Sequence, residues 1–309
     1  MTDLALVFAG SPGAAVPSLG ALQASRHRVL TVVTRADSEH GRRRVMMPTA
    51  VASAAERLGL PTIRTNRLAG EATERLTALQ PDLGVIVAYG GLVREPLLSV
   101  PRLGWINLHF SLLPRWRGAA PVQRSIIAGD EITGASVFRL VEELDAGELY
   151  GQLTQDIGSR ETAGQLLGSL AEAGAELLVR VVDAIAEGRA RTEPQHGVVT
   201  RAPKLNLEDG RIDWTADAGT IDNLIRGVTP EPGAFTIFDG TRLKVIEARP
   251  AAGDEALMPG HIALSDGRLL IGTSSAPIEL ISVHPAGKKA MRATDWWRGR
   301  PSTAGRVVE

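Results

Sequence analysis

The sequence predicts an α/β fold, a doubly wound and mostly parallel sheet followed by a small all-β domain. Three observations carry that prediction. The first half alternates short apolar runs with segments of helical spacing. A long alanine- and leucine-rich stretch then interrupts the alternation. The last hundred residues consist of short apolar runs set between turn dipeptides.

In chain order, Leu4–Ala9 is an apolar run that ends in Gly10-Ser11-Pro12, and Arg28–Val33 is a second run rich in β-branched residues. Pro48–Leu58 has helical spacing, Pro61–Ile63 is short and extended, and Leu68–Leu79 is helical again. Leu83–Ala88 is continuously apolar between Asp82 and Tyr89-Gly90-Gly91, and Trp105–His109 is a further strand. Such unbroken apolar strands fit a sheet covered on both faces. Pro121 suits the first turn of a helix running to Gly129. Thr162–Glu187 reads as one long helix, although Gly164, Gly168 and Gly174 weaken it. Beyond it, Arg189–Leu207 has little periodicity and contains Pro194, Gly197 and Pro203. Phe235–Phe238, Leu243–Ile246, Leu269–Ile271 and Ile278–Val283 then alternate with turn signals such as Asp239-Gly240 and Asp266-Gly267, as in a barrel or sandwich. A length of 309 residues favours two domains, placed at 1–188 and 207–309 with a linker at 189–206.

Composition narrows the chemistry. Hydrophobic residues are 44% and charged residues 22%, an ordinary globular balance. The formal charge of −1 provides no global field for nucleic acid, so any such binding falls to local basic patches. With no cysteine, disulfides, thiolate metal sites and cysteine nucleophiles are excluded, which fits a reducing cytoplasm. Neither a signal peptide nor a bilayer-length apolar stretch is read, and the six histidines show no metal-ligand spacing. The expectation is therefore a cytoplasmic protein with no metal and no membrane partner.

The most informative segment runs from Gly104 to Pro114. Side chains alternate along a strand, so Asn107 and His109 share one face while Ile106, Leu108 and Phe110 take the other. An amide and an imidazole are costly to bury in a sheet unless they are hydrogen-bonded. The place that tolerates them is the carboxyl end of the strand, where open α/β sheets bind ligands. Two satisfied core residues are the alternative. Two polar groups on one face before a Ser-Leu-Leu-Pro turn favour function. Asp145 lies in Leu144-Asp145-Ala146-Gly147, where small neighbours leave its carboxylate free, although an acid in a turn is by itself ordinary.

His109-Phe110-Ser111-Leu112-Leu113-Pro114, followed by Trp116-Arg117-Gly118-Ala119-Ala120-Pro121, resembles the signature of the folate-dependent formyltransferase family. Phe8–Pro12 and the stretch from Pro81 to Gly90 resemble its first and fourth strand regions. Ile212-Asp213-Trp214, Pro232-Gly233-Ala234 and Gly287-Lys288-Lys289 resemble the C-terminal domain of its tRNA-specific branch. The resemblance implies a Rossmann-like catalytic domain and an OB-like C-terminal barrel that binds tRNA. It implies Asn107, His109 and Asp145 as catalytic trio, Ser111, Leu112, Leu113 and Pro114 as lining of the folate pocket, and 10-formyltetrahydrofolate as co-substrate. Initiator methionyl-tRNA is the implied partner, approached by Arg42, Arg43 and Arg44 in one loop and by Lys288 and Lys289 in a tail with six Lys/Arg against two acids. A monomer is expected. Glu143 and Ala146 stand where the family has Gly and Thr. Other superfamily chemistries, hydrolysis of the formyl carrier or transfer to a sugar or nucleotide amine, are the nearest alternatives. A nicotinamide oxidoreductase lacks its spaced third glycine, and a serine hydrolase lacks its Gly-x-Ser-x-Gly elbow.

Overall fold

A computed structural model of the chain describes residues 3–40, 44–251, 253, 256–300 and 307–309. The elements in order are β1 (Ala5–Gly10), α1 (Val16–Ala24), β2 (Arg28–Thr34), β3 (Ser38–His40), β4 (Val45–Met47), α2 (Ala50–Arg57), β5 (Thr62–Arg64), α3 (Glu71–Ala78), β6 (Leu83–Val87) and β7 (Trp105–His109). After these come β8 (Arg117–Gly118), α4 (Pro121–Ile127), β9 (Ile132–Arg139), β10 (Leu149–Asp156), α5 (Ala163–Ala186) and β11 (Arg201–Ala202). The chain finishes with α6 (Ala218–Gly227), β12 (Ala234–Phe238), β13 (Thr241–Pro250), β14 (Ile262–Ser265), β15 (Arg268–Ile271), β16 (Ile278–Pro285), β17 (Met291–Arg292) and α7 (Ala293–Arg298).

Two compact units result. One comprises residues 1–121, 132–156 and 167–202, the other residues 122–131, 157–166 and 203–309. The first unit holds a seven-stranded sheet in the order β10-β9-β7-β6-β1-β2-β5. Strands β1, β2, β5, β6 and β7 are parallel, as the β-α-β rhythm predicts, while β9 runs antiparallel to β7 and β10 antiparallel to β9. The order reverses between β1 and β6, so their carboxyl ends flank the crevice such sheets use for ligands.

Strand β7 is placed by packing on both faces. Trp105 is 1% exposed and joins Val7, Ala9, Ile86 and Leu97 in one core, with its indole N–H donating to the Leu97 carbonyl at 3.0 Å. Gly84 on β6 makes room for it: a Cβ there would lie 2.1 Å from the indole ring. On the opposite face Leu108 packs against Gly174 of α5, which gives a glycine that weakens the helix a packing role. Burying such a leucine contributes about 1.5–3 kcal/mol.

In the second unit an antiparallel sheet runs β12-β13-β16-β15-β14, with β17 added to β16. Asp239-Gly240 and Asp266-Gly267 all have positive φ, between 48° and 75°, and make the tight hairpin turns their sequence predicts. Register shifts between Val245 and Ala248 bend β13 and curl the sheet. Residues 307–309 then span its two edges. Glu309 exchanges backbone hydrogen bonds with Ile237 of β12, and the Val308 amide donates to Gly260 just before β14. This half-barrel is the OB-like architecture expected. Two helices accompany it: α6 lays Ile221 and Ile225, and α7 lays Trp296, into the same core as Val245 and Leu280. Among the described residues no helix is long and apolar enough to cross a membrane.

Candidate active site

All three predicted polar residues fall in the first unit. Asn107 pairs in register with Ile86 of β6 and Phe138 of β9, and His109 with Ser136 of β9. The alternation that sends Leu108 toward α5 turns Asn107 and His109 to the face of Trp105. His109 is 6% exposed, and its ring meets Phe138 edge-on at 6.5 Å.

Asp145 reaches the same place from the turn after β9. Its Oδ2 lies 3.9 Å from His109 Nδ1, and both side chains are buried. The same oxygen accepts the Gly118 backbone N–H at 2.8 Å. His109 Nε2 lies 2.9 Å from the Trp116 carbonyl. A carbonyl only accepts, so Nε2 carries the proton and the Nδ1 lone pair of the neutral ring faces Asp145. Burial pushes the His109 pKa below its usual value, while Asp145 and the Trp116 carbonyl pull it upward. The resting imidazole is therefore neutral, yet it stands beside a carboxylate that would stabilise its cation. Asn107 Oδ1 is buried with no hydrogen-bond partner. An unsatisfied buried amide oxygen on the His109 face is an acceptor that a ligand's donor can fill.

The Ser111–Pro114 turn is braced from behind. Ser136 Oγ donates to the Ser111 carbonyl at 2.6 Å and accepts the Leu113 N–H at 3.2 Å, while Gln152 Nε2 donates to the Leu113 carbonyl at 3.1 Å. The Leu113–Pro114 bond is cis. Ser111 is fully buried and its hydroxyl donates to the Arg115 carbonyl at 2.6 Å, which removes it as a nucleophile. Leu113 and Pro114 are also buried, whereas Leu112 is half-buried.

The loop around Asp145 is held by contacts that accommodate Glu143 and Ala146. Asp145 itself has a φ of 49°, a conformation uncommon outside glycine. Glu143 reaches out to pair with Arg117 at 3.1 Å. Gln195 donates to the Asp145 and Gly147 carbonyls, each at 2.8 Å. Neither Gln195 nor Ser136 nor Gln152 stands out in the sequence, because each acts through contacts with distant residues rather than through local spacing.

The basic residues fall in different places. Arg42 and Arg43 lie outside the described residues. Arg44, in the turn of the β3–β4 hairpin, is exposed and pairs with Glu39 at 3.5 Å. Lys288 and Lys289 are exposed on the turn between β16 and β17 of the second unit. Trp296 packs edge-on against Phe238 at 5.1 Å and is buried, whereas Trp297 is half-buried. Among the described residues no group of three or more metal-ligating side chains is placed to hold an ion.

Comparison with known proteins identifies the family. Residues 4–182 match the family model for formyl transferase, and residues 204–301 match the model for formyl transferase, C-terminal domain. A methionyl-tRNA formyltransferase of Clavibacter sepedonicus is 59% identical over 294 residues, 95% of this chain and 96% of that protein. One from an Arthrobacter species is 49% identical over 304 residues, 98% and 99% of the two chains. Among solved structures, an N-formyltransferase of Helicobacter canadensis with folinic acid and dTDP-3-aminofucose superposes with a TM-score of 0.69 at 18% identity, over 91% of this chain and 99% of that one. That likeness shows the shared fold.

Proposed function

The chain belongs to the formyl transferase family and, within it, to the methionyl-tRNA formyltransferases, and we propose that Asn107, His109 and Asp145 carry the reaction of that family at the end of β7. The reaction moves the formyl group of 10-formyltetrahydrofolate to the free α-amine of methionyl-tRNA. The observation that supports the trio is the buried His109–Asp145 pair at 3.9 Å, on a strand face that also carries Asn107 with its amide oxygen unpartnered.

Each residue takes one task. His109, neutral at rest, accepts through Nδ1 the proton that the attacking amine must lose. Asp145 then faces an imidazolium and stabilises it, with its carboxylate already held by the Gly118 amide. Asn107 donates N–H to the formyl oxygen as charge develops on it, an effect worth roughly 3–4 kcal/mol by analogy with other oxyanion donors. The charged His109 can return its proton to the departing folate nitrogen, so one group serves both halves of the transfer without a covalent enzyme intermediate. Ser111, Leu113 and Pro114 shape the folate pocket from within the wall and Leu112 lines it. The turn Ala88–Gly91 leaves the neighbouring strand β6 on the same side.

We assign the catalytic domain to 1–188 and the tRNA-binding barrel to 207–309, with 189–206 between them, although the part of that segment up to Ala202 packs with the first unit. The two family-model matches support the division. Within the tRNA substrate, initiator methionyl-tRNA is the acceptor we propose, with Arg42, Arg43, Arg44, Lys288 and Lys289 contacting its phosphates. A chain without cysteine that acts in translation fits the cytoplasm. One chain provides the whole trio, which supports a monomer. The test is formyl transfer by purified protein from 10-formyltetrahydrofolate to charged initiator tRNA. Uncharged tRNA, charged elongator tRNA and water as acceptors are the controls. Formyl hydrolysis that ignores charged tRNA would overturn the assignment.

A further inference from the structure

We propose that Gln195 is a positioning residue for formyl transfer that acts by holding the Asp145 loop, an inference that rests on the role given to Asp145 above. The Gln195 carboxamide is fully used. Its Nε2 donates at 2.8 Å to the Asp145 carbonyl and at 2.8 Å to the Gly147 carbonyl, so one amide group clamps the backbone on both sides of Ala146. Its Oε1 accepts from Arg117 Nε at 3.1 Å and Arg117 Nη2 at 2.7 Å. Two donors and two lone pairs account for everything a glutamine side chain offers.

The clamp closes on the catalytic carboxylate from two directions. Arg117 is buried, and the residue after it, Gly118, donates its amide to Asp145 Oδ2 at 2.8 Å. Arg117 and Gly118 form β8, which pairs in parallel with Arg201 and Ala202 of β11. Arg117 also donates its backbone N–H to the Thr200 carbonyl at 3.0 Å. Gly118 has a φ of 131°, and a Cβ there would lie 2.6 Å from the Ala202 carbonyl oxygen. The stretch 195–202, which reads in the sequence as linker, therefore braces the site twice, by backbone at Thr200–Ala202 and by side chain at Gln195.

The physical need is clear at Asp145. Its left-handed backbone costs on the order of 1–3 kcal/mol and persists only where the surroundings enforce it. Gln195 binds the carbonyl of that residue. Without the clamp the peptide relaxes, and the carboxylate moves relative to His109. A displacement near 1 Å is enough to cost roughly a hundredfold in rate.

The experiment uses the full chain in single-turnover formyl transfer to methionyl-tRNA, together with steady-state KM values for both substrates. Gln195→Ala is expected to lower the rate about 30- to 100-fold and to leave both KM values within about twofold, the split expected when ground-state binding is spared. Gln195→Glu keeps the acceptors for Arg117 but loses both N–H donors, so its loss should match that of Gln195→Ala. It decides the matter if the alanine variant does not fold. In an Asp145→Asn background, Gln195→Ala should add little, because both act through one group. A wild-type rate in Gln195→Glu, or losses that multiply in the double variant, would overturn the proposal. Full activity in Asp145→Asn alone would instead remove the role of Asp145 itself, so the two failures are distinct.

Discussion

Two charged turns, one in each unit, solve different problems with the same kind of residue. Asp145 is buried within its turn, its carboxylate held by the Gly118 amide and its carbonyl by Gln195. The Lys288–Lys289 turn is exposed and is tied through its backbone: the Lys288 amide donates to the Pro285 carbonyl, and His284 Nε2 lies 2.7 Å from the Lys288 carbonyl. A charge that must meet one reacting atom needs a fixed address. Charges that attract a polyanion need only be present, because their field acts over a screening length of about 8–10 Å.

The largest effect belongs to the buried Asp145 carboxylate. Asp145→Asn removes the charge and keeps the shape, and we expect it to lower the single-turnover rate by about 10²–10⁴-fold at low and high salt alike. A loss that salt abolishes would place Asp145 with the surface charges. Asn107→Ala should cost about 10²–10³-fold as an oxyanion donor, with tRNA affinity measured by filter binding unchanged.

A finer test follows from His109. Burial lowers its pKa, so in the folded enzyme the active neutral base persists below the ordinary imidazole value. Activity should therefore be lost on the acid side, as pH falls through the depressed value, and a pH–rate profile of formyl transfer reads that limb. Because the Asp145 charge pulls this pKa up, the residual activity of Asp145→Asn should lose its acid limb at still lower pH. Stability obeys the same sign. The unfolded chain takes up this proton first, so the contribution of neutral His109 is present above the unfolded value and is lost as pH drops below it. A limb that moves upward in Asp145→Asn would show that the carboxylate is not the partner of His109.

The smallest effect belongs to the exposed turn. Lys288→Ala with Lys289→Ala should weaken tRNA binding several-fold at low salt and reduce the slope of log affinity against log salt by about one to two. The chemical rate at saturating tRNA should not change. A rate defect there would mean that the lysines help orient the acceptor end.

How much of this is legible in the sequence follows the range of the forces involved. Period-two alternation from Trp105 to His109 reports directly on β7, and Asp239-Gly240 and Asp266-Gly267 report their turns, because both signals are local. Helix α1 is passed over: Val16–Ala24 is apolar on most sides, so no stripe marks it. Strand β10 carries Gly151 and two glutamines and looks unlike its neighbours. Helix α6 has Ile221 and Ile225 four apart, yet a run of strand signals surrounds it. The site divides in the same way. Asn107 and His109 announce themselves, whereas Gln195 grips the Asp145 carbonyl across 50 positions of chain. No local pattern encodes a hydrogen bond of that span. The departure at Glu143 is likewise accommodated by a partner, Arg117, that only the folded chain brings near.

The strand-like tail at residues 307–309 sets an order of events for the second unit. Ile237 on β12 exchanges backbone bonds with Glu309, so the seam is sewn by segments more than 70 residues apart. Pairings of such long range close late, after the local hairpins have formed. During synthesis on the ribosome, the curled sheet would thus wait as an open trough until residue 309 emerges, and amide exchange at Ile237 would slow only at that moment.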